Sequence, residues 1–178
     1  MSKVLFIINI QEDHFQHGML EVQDSQTILE PLLRKQEEST KTYYFNASYP
    51  AQHIRFASNH PWRYPGQQIT LNGEEVRLFP FYCLQDTWGA QIHPAFQLRA
   101  QDQVIVRGQE AEKNPAYYWP DEDWITKLKE QGVQEIELAG LNIEPEFLEK
   151  NIEAIQGAGF KLTLHSDLTK SGLLYLNK

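Results

Sequence analysis

Val4, Leu5, Phe6, Ile7 and Ile8, with Ile10 just beyond, form a nearly unbroken apolar run. A strand with one solvated face alternates apolar with polar residues, so a run without a polar face has to be covered on both sides. Residues 3–10 are therefore read as a central strand of a parallel sheet. Residues 42–45 and 103–106, a segment around Ile136 and Leu138, and residues 161–165 are the further strand candidates. Helical patterns fall between them. Residues 25–38 carry Ile28, Leu29, Leu32 and Leu33 at helical spacing, and Pro31 requires the regular helix to start near it or kink there. Pro120 opens a helix with acids in its first turn and Trp124, Ile125 and Leu128 on one face, and Gly132 ends it. Phe147, Leu148, Ile152 and Ile155 mark the last helix, while residues 68–78 alternate around Asn72 and Gly73, a hairpin signal. Strands alternating with helices predict a three-layer α/β/α domain spanning residues 1–178, with a mostly parallel open sheet and a small β-hairpin insertion.

A length of 178 residues with 41% hydrophobic content suits one core. The net charge of −8 provides no footprint for nucleic acid or an anionic membrane, both of which need clustered lysine and arginine. No apolar stretch approaches the roughly 20 residues that cross a bilayer. Cys83 is the single cysteine, which excludes an internal disulfide framework. With no charged-then-apolar leader before the first strand, the expectation is a cytoplasmic protein.

Three segments carry a family likeness. The first is Phe6, Ile7, Ile8, Asn9, Ile10, Gln11, Glu12 and Asp13; the second runs from Pro50 to Ser58 and from Phe79 through Cys83, Thr87, Gly89 and Ala90 to His93 and Pro94; the third is the elbow from Gly140 to Phe147. In this order they resemble the nicotinamidases and isochorismatase-like cysteine hydrolases. The resemblance implies the isochorismatase-like hydrolase fold and an amidase in which an aspartate deprotonates a cysteine at a helix start, beside a lysine. Those three positions read Asn9, Arg107 and Glu146. A carboxamide does not take a proton as a carboxylate does, a guanidinium does not exchange one near neutrality, and a carboxylate is a poor nucleophile toward an amide. The family's amidase chemistry is predicted absent. Isochorismatases, which rely on the aspartate as acid, are excluded by Asn9 as well. The implied metal ligands read Ala47, Tyr49, His53 and Tyr82, of which only His53 can still ligate, so neither a metal nor another cofactor is expected.

Each substituted position has a plain and a sharper reading. Glu146 either complements the start of a helix opened by Pro145 or pairs with Arg107 inside the former pocket. Asn9 either binds a ligand or satisfies buried backbone. Arg107 either clamps an anion or pairs internally with Glu146 or Glu144. Ligand-binding candidates are His14, standing where nicotinamidases place an aromatic against the substrate ring; Phe79, an aromatic wall; Asn142 and Ile143, whose peptide is often cis in the family; and Tyr117, from an aromatic cluster suited to a lid or an oligomer contact. Residues 12–17 read as a solvated loop and Cys83 as a buried, inert thiol. Three functions follow: a catalytically silent binder of a small molecule or partner, a hydrolase acting on C–N bonds by altered chemistry through Glu146 or the His14/His17 loop, and a structural or regulatory subunit of an oligomer. Self-association, as a homo-oligomer, is what the resemblance implies.

Overall fold

The computed structural model describes residues 2–117 and 122–173. Strand β1 (Ser2–Ile8) lies at the middle of a five-stranded sheet, between β2 (Lys41–Ala47) and β6 (Val133–Leu141), with β5 (Gln103–Arg107) and β7 (Lys161–Lys170) at the edges. Every pairing in this sheet is parallel. The helices are α1 (Leu29–Glu38), α2 (Glu122–Glu130) and α3 (Pro145–Gly157). Alternate residues of β1 enter two different cores, which is why the run could not alternate. Val4, Phe6 and Ile8 pack with Trp124, Leu128, Phe147 and Ile155 of α2 and α3, whereas Leu5 and Ile7 pack with Ile28 and Leu32 at α1. The sheet is thus covered on both faces, in the three-layer arrangement expected.

The hairpin of β3 (Gln68–Leu71) and β4 (Glu74–Arg77) is antiparallel, and Asn72 and Gly73 both have positive φ, 51° and 83°, as a two-residue turn of this kind requires. Two boundaries differ from expectation. Residues 25–28 form a 3-10 turn and α1 starts at Leu29, which puts Pro31 in the first helical turn, where its missing N–H costs nothing. Strand β7 runs on to Lys170: its pairing with β6 jumps from Leu138–Leu164 to Gly140–Thr169, so residues 165–168 interrupt the register and the pairing resumes beyond them. Pro120 lies outside the described residues. No helix among the described residues is long and apolar enough to cross a membrane.

Gly140 of β6 lies directly beside Ile8 of β1. Its φ is 149°, and a Cβ there would stand 2.1 Å from the Ile8 carbonyl oxygen. Backbone on both sides leaves no flexible group to yield, so Gly140→Ala is expected to destabilise the fold by about 3 kcal/mol in urea titration.

Candidate functional site

The carboxyl ends of β1, β5 and β6 bring together Asn9, Arg107 and the elbow before α3, at the end of the sheet where open α/β folds bind ligands. Asn9 has φ 57° and donates its backbone N–H to the Phe45 carbonyl at 2.9 Å. Its side-chain Nδ2 donates to the carbonyls of Leu141 (2.9 Å) and Asn142 (3.2 Å), and its Oδ1 accepts from Arg107 Nη2 at 2.9 Å. An aspartate has no hydrogen to offer the two carbonyls, so an amide suits this place and a carboxylate does not. Asn9 thus satisfies backbone and positions Arg107.

Arg107 does not pair with Glu146. Its partner is Glu144, whose Oε2 lies 3.6 Å from Arg107 Nη1. Glu144 precedes Pro145 and has extended backbone (φ −66°, ψ 137°), which sends its side chain back under the sheet end. Glu146, one residue inside α3, is half-buried in the first helical turn, where its charge complements the helix start, and the inward direction is taken by Phe147. The Phe147 ring lies 4.5 Å from the Arg107 guanidinium carbon.

Arg55 completes the cluster. Its Nη2 reaches both carboxylate oxygens of Glu144, at 3.0 and 3.1 Å, and its Nη1 donates to the hydroxyls of Tyr49 (2.8 Å) and Tyr82. Phe79, read from the sequence as an open aromatic wall, is buried with its ring 4.6 Å from the Arg55 guanidinium. Arg55 is 1% exposed and Glu144 4%. Burial raises the Glu144 carboxyl, but the guanidinium groups of Arg55 and Arg107 hold it below the usual carboxylate range. Burial likewise pulls Arg55 down, and Glu144 with the two phenols more than offsets it. Burial and then a second buried carboxylate, Asp13, push the Cys83 thiol up, against the pull of the two guanidinium groups. Two buried cations therefore stand against two buried anions in one neighbourhood.

Beside this cluster lies a Cys83–His14–Asn142 arrangement whose parts resemble a thiol protease but whose polarity is wrong. Gly172 N–H donates to Asn142 Oδ1 (2.7 Å), which turns the amide so that Nδ2 donates to His14 Nδ1 (2.8 Å) and the Leu20 carbonyl (2.9 Å). The His14 proton consequently sits on Nε2, 3.8 Å from Cys83 Sγ, and the imidazole has no lone pair with which to deprotonate the thiol. Burial, then the nearby Arg107 charge, lowers His14 to about 3, while burial and Asp13 push the Cys83 thiol well up. The trio latches the loop after β1 to the elbow and to the strand end at Gly172.

Several expected ligand contacts are accordingly internal. His14 is fully buried, and Glu12, Asp13 and Phe15 are buried too, so only Gln16 and His17 of the expected solvated loop are exposed. Asn142 and Ile143 are buried, and no peptide among the described residues is cis. Tyr117 ends a 3-10 turn at Pro115–Tyr117, while its side chain, Tyr118 and Trp119 lie outside the described residues.

No protein-family profile matches the chain. It is 27% identical over 144 residues to a nicotinamidase of Acinetobacter baylyi, covering 77% of this chain and 67% of that enzyme. Against a nicotinamidase of Saccharomyces cerevisiae it is 24% identical over 118 residues, 59% of this chain and 53% of the enzyme, so it spans about half of that relative. The fold superposes on an Acinetobacter baumanii nicotinamidase/pyrazinamidase with a TM-score of 0.83 at 24% identity, over 96% and 84% of the two chains. An isochorismatase-like hydrolase from Alkaliphilus metalliredigens aligns with a TM-score of 0.68 at 14% identity, over 99% and 87%. In sequence and in fold the chain resembles the nicotinamidases and isochorismatase-like hydrolases.

For a nicotinamidase-related chain the metal positions are the sharpest departure. The hydroxyls of Tyr49 and Tyr82 converge on the Arg55 guanidinium, so the cation at their meeting point is a side chain. His53 is buried, its Nδ1 accepts the Arg55 backbone N–H at 3.1 Å, and burial and the Arg55 charge lower its pKa to about 4. Ala47 offers no donor. Neutral phenols already bound to a guanidinium and one imidazole beside a fixed positive charge do not fit a divalent ion. Among the described residues no group of three or more histidine, cysteine, aspartate or glutamate side chains could hold one. Arg55 was missed in the sequence because His53 drew the metal assignment. The available signal was an arginine between Ile54 and Phe56, since a cation in apolar company needs a buried carboxylate.

Proposed function

We propose that this nicotinamidase-related chain is catalytically silent and serves as a binding protein for a small molecule or a partner. The observation that carries the reading is Glu144 clasped between Arg55 and Arg107, with Asn9 engaged by Arg107. Amide hydrolysis in the family's manner needs a base, an activated nucleophile and an open carbonyl site. Here the base position is an amide whose oxygen is already occupied, and the nucleophile position holds the Glu146 carboxylate. Cys83 keeps its proton, because burial disfavours the thiolate. Binding then belongs to the rim of the crevice, where side chains remain exposed. Self-association is part of the same proposal and is read by sedimentation.

Ammonia release from nicotinamide and a panel of small amides, with and without zinc or manganese, tests this reading. No turnover above the Glu146→Ala variant is expected. Wild-type turnover that Glu146→Ala loses makes Glu146 catalytic and overturns it.

A further inference from the structure

Beside the closed cluster, a groove of about 370 Å³ opens between the loop after β1 and the loop following Phe79. Its walls include His17, Met19, Phe81, Tyr82, Leu84 and Trp88. Large apolar side chains are left open here: Met19 is 59% exposed, Trp88 51% and Phe81 37%. The two walls are tied together by one carboxylate, because Asp13 accepts from Met19 N–H at 3.0 Å and from Cys83 N–H at 2.6 Å. Gly89 belongs to the same construction, since a Cβ there would stand 2.1 Å from an Asp13 carboxylate oxygen. The groove is a built feature of the fold, and Tyr82 and Asp13 connect it to the cluster.

Its chemistry selects a charge as well as a shape. Three aromatic residues and a thioether line it, and the Asp13 carboxylate lies in its wall. No lysine or arginine is among its described lining residues, and Asp86, two residues from Trp88, is exposed. The chain as a whole carries −8. The open aromatic faces of Trp88 and Phe81, with the Asp86 carboxylate close by on an acidic chain, attract cations whose hydration is weak, quaternary ammonium groups above all. The volume lies at the small end of the range for ligand pockets, enough for one compact headgroup.

We propose that this groove binds a quaternary ammonium cation, seated against Trp88 and Phe81. The inference rests on the reading of the chain as a binding protein, and gives that binding a place and a ligand class.

Choline and its uncharged isostere 3,3-dimethylbutan-1-ol, titrated separately by calorimetry, test it. Choline is expected to bind saturably, with the isostere at least tenfold weaker. Trp88→Ala is expected to abolish choline binding and Met19→Lys, a surface change that places a cation at the rim, to weaken it at least tenfold; Glu146→Ala is expected to leave it intact. Equal affinity for the two probes, no saturation by choline in the millimolar range, or retention of choline binding by Met19→Lys overturns the proposal. So does a dimer in sedimentation that Trp88→Ala dissolves, because a second copy then covers the groove. Absent choline binding together with absent amide turnover defeats this inference and leaves the catalytically silent reading standing, whereas turnover defeats that reading itself.

Discussion

Glu144→Gln is expected to destabilise the protein by about 3–5 kcal/mol, the usual cost of removing one partner from a buried ion pair. The carboxylate accepts two hydrogen bonds from Arg55 and lies 3.6 Å from Arg107. Glutamine keeps the volume but leaves two guanidinium groups, 1% and 2% exposed, with no negative charge between them. Water cannot reach them to compensate, and neither can a counter-ion without opening the elbow. Glu146→Gln provides the contrast. That carboxylate is half-buried in the first turn of α3, and its loss is expected to cost about 0.3–1 kcal/mol, the value of a favourable charge at a helix start. Urea titration reads both, through a lowered midpoint at unchanged slope. Equal costs for the two variants would mean that the cluster is solvated and that Glu144 has no special place.

Stability is also expected to begin falling at about pH 6.5, before the carboxylates titrate, and to go on falling to about pH 3. His14 and His53 have folded-state values near 3 and near 4, against about 6.5 in an unfolded chain. Both are buried as neutral rings, so the unfolded state binds protons that the folded state refuses. Their contribution is complete above about pH 6.5, declines as pH falls, and is gone once pH passes below the folded values. For His14 the whole interval is worth about 4–5 kcal/mol. Glu144 acts later. Its depressed value means that its stabilisation is present above the unfolded carboxylate range near 4.3 and is lost only as pH falls through its lower folded value. Urea midpoints at pH 7, 5.5 and 4.5 should therefore descend for the wild type and descend less steeply in His14→Gln, where only His53 still resists a proton. Midpoints that stay constant down to pH 5 would place His14 in contact with water.

The layers of the fold were legible because burial leaves a mark in composition. The apolar run of β1 required cover on two faces, and its residues do divide between two cores. The Asn72–Gly73 turn was equally plain, since few residue pairs accept two positive φ angles. The site was only half legible. Asn9 and Arg107 meet at the elbow that carries Glu146, yet which carboxylate turns inward depends on backbone direction at a single residue. Pro145 held that information: the residue before a proline is extended, so Glu144 and not Glu146 points back beneath the sheet. The burial of Arg55 had a signal in its apolar neighbours Ile54 and Phe56, but the identity of its partners did not. Its partners come from three separate segments, at Tyr49, at Phe79 with Tyr82, and at Glu144, and nothing in local spacing joins them. The end of β7 was lost to polar residues that suit an edge strand as well as a loop.

Hydrogen exchange at the guanidinium groups of Arg55 and Arg107, followed by NMR with nitrogen-labelled arginine, measures whether the crevice is filled by a closed ion cluster. Bound and buried guanidinium protons exchange through opening of the structure, while exposed ones exchange freely with solvent. Slowly exchanging side-chain signals from both arginines, lost together in Glu144→Gln, are the predicted result. Guanidinium protons that exchange as fast as those of the exposed Arg63 would contradict it, and would describe instead an open crevice with room for a substrate.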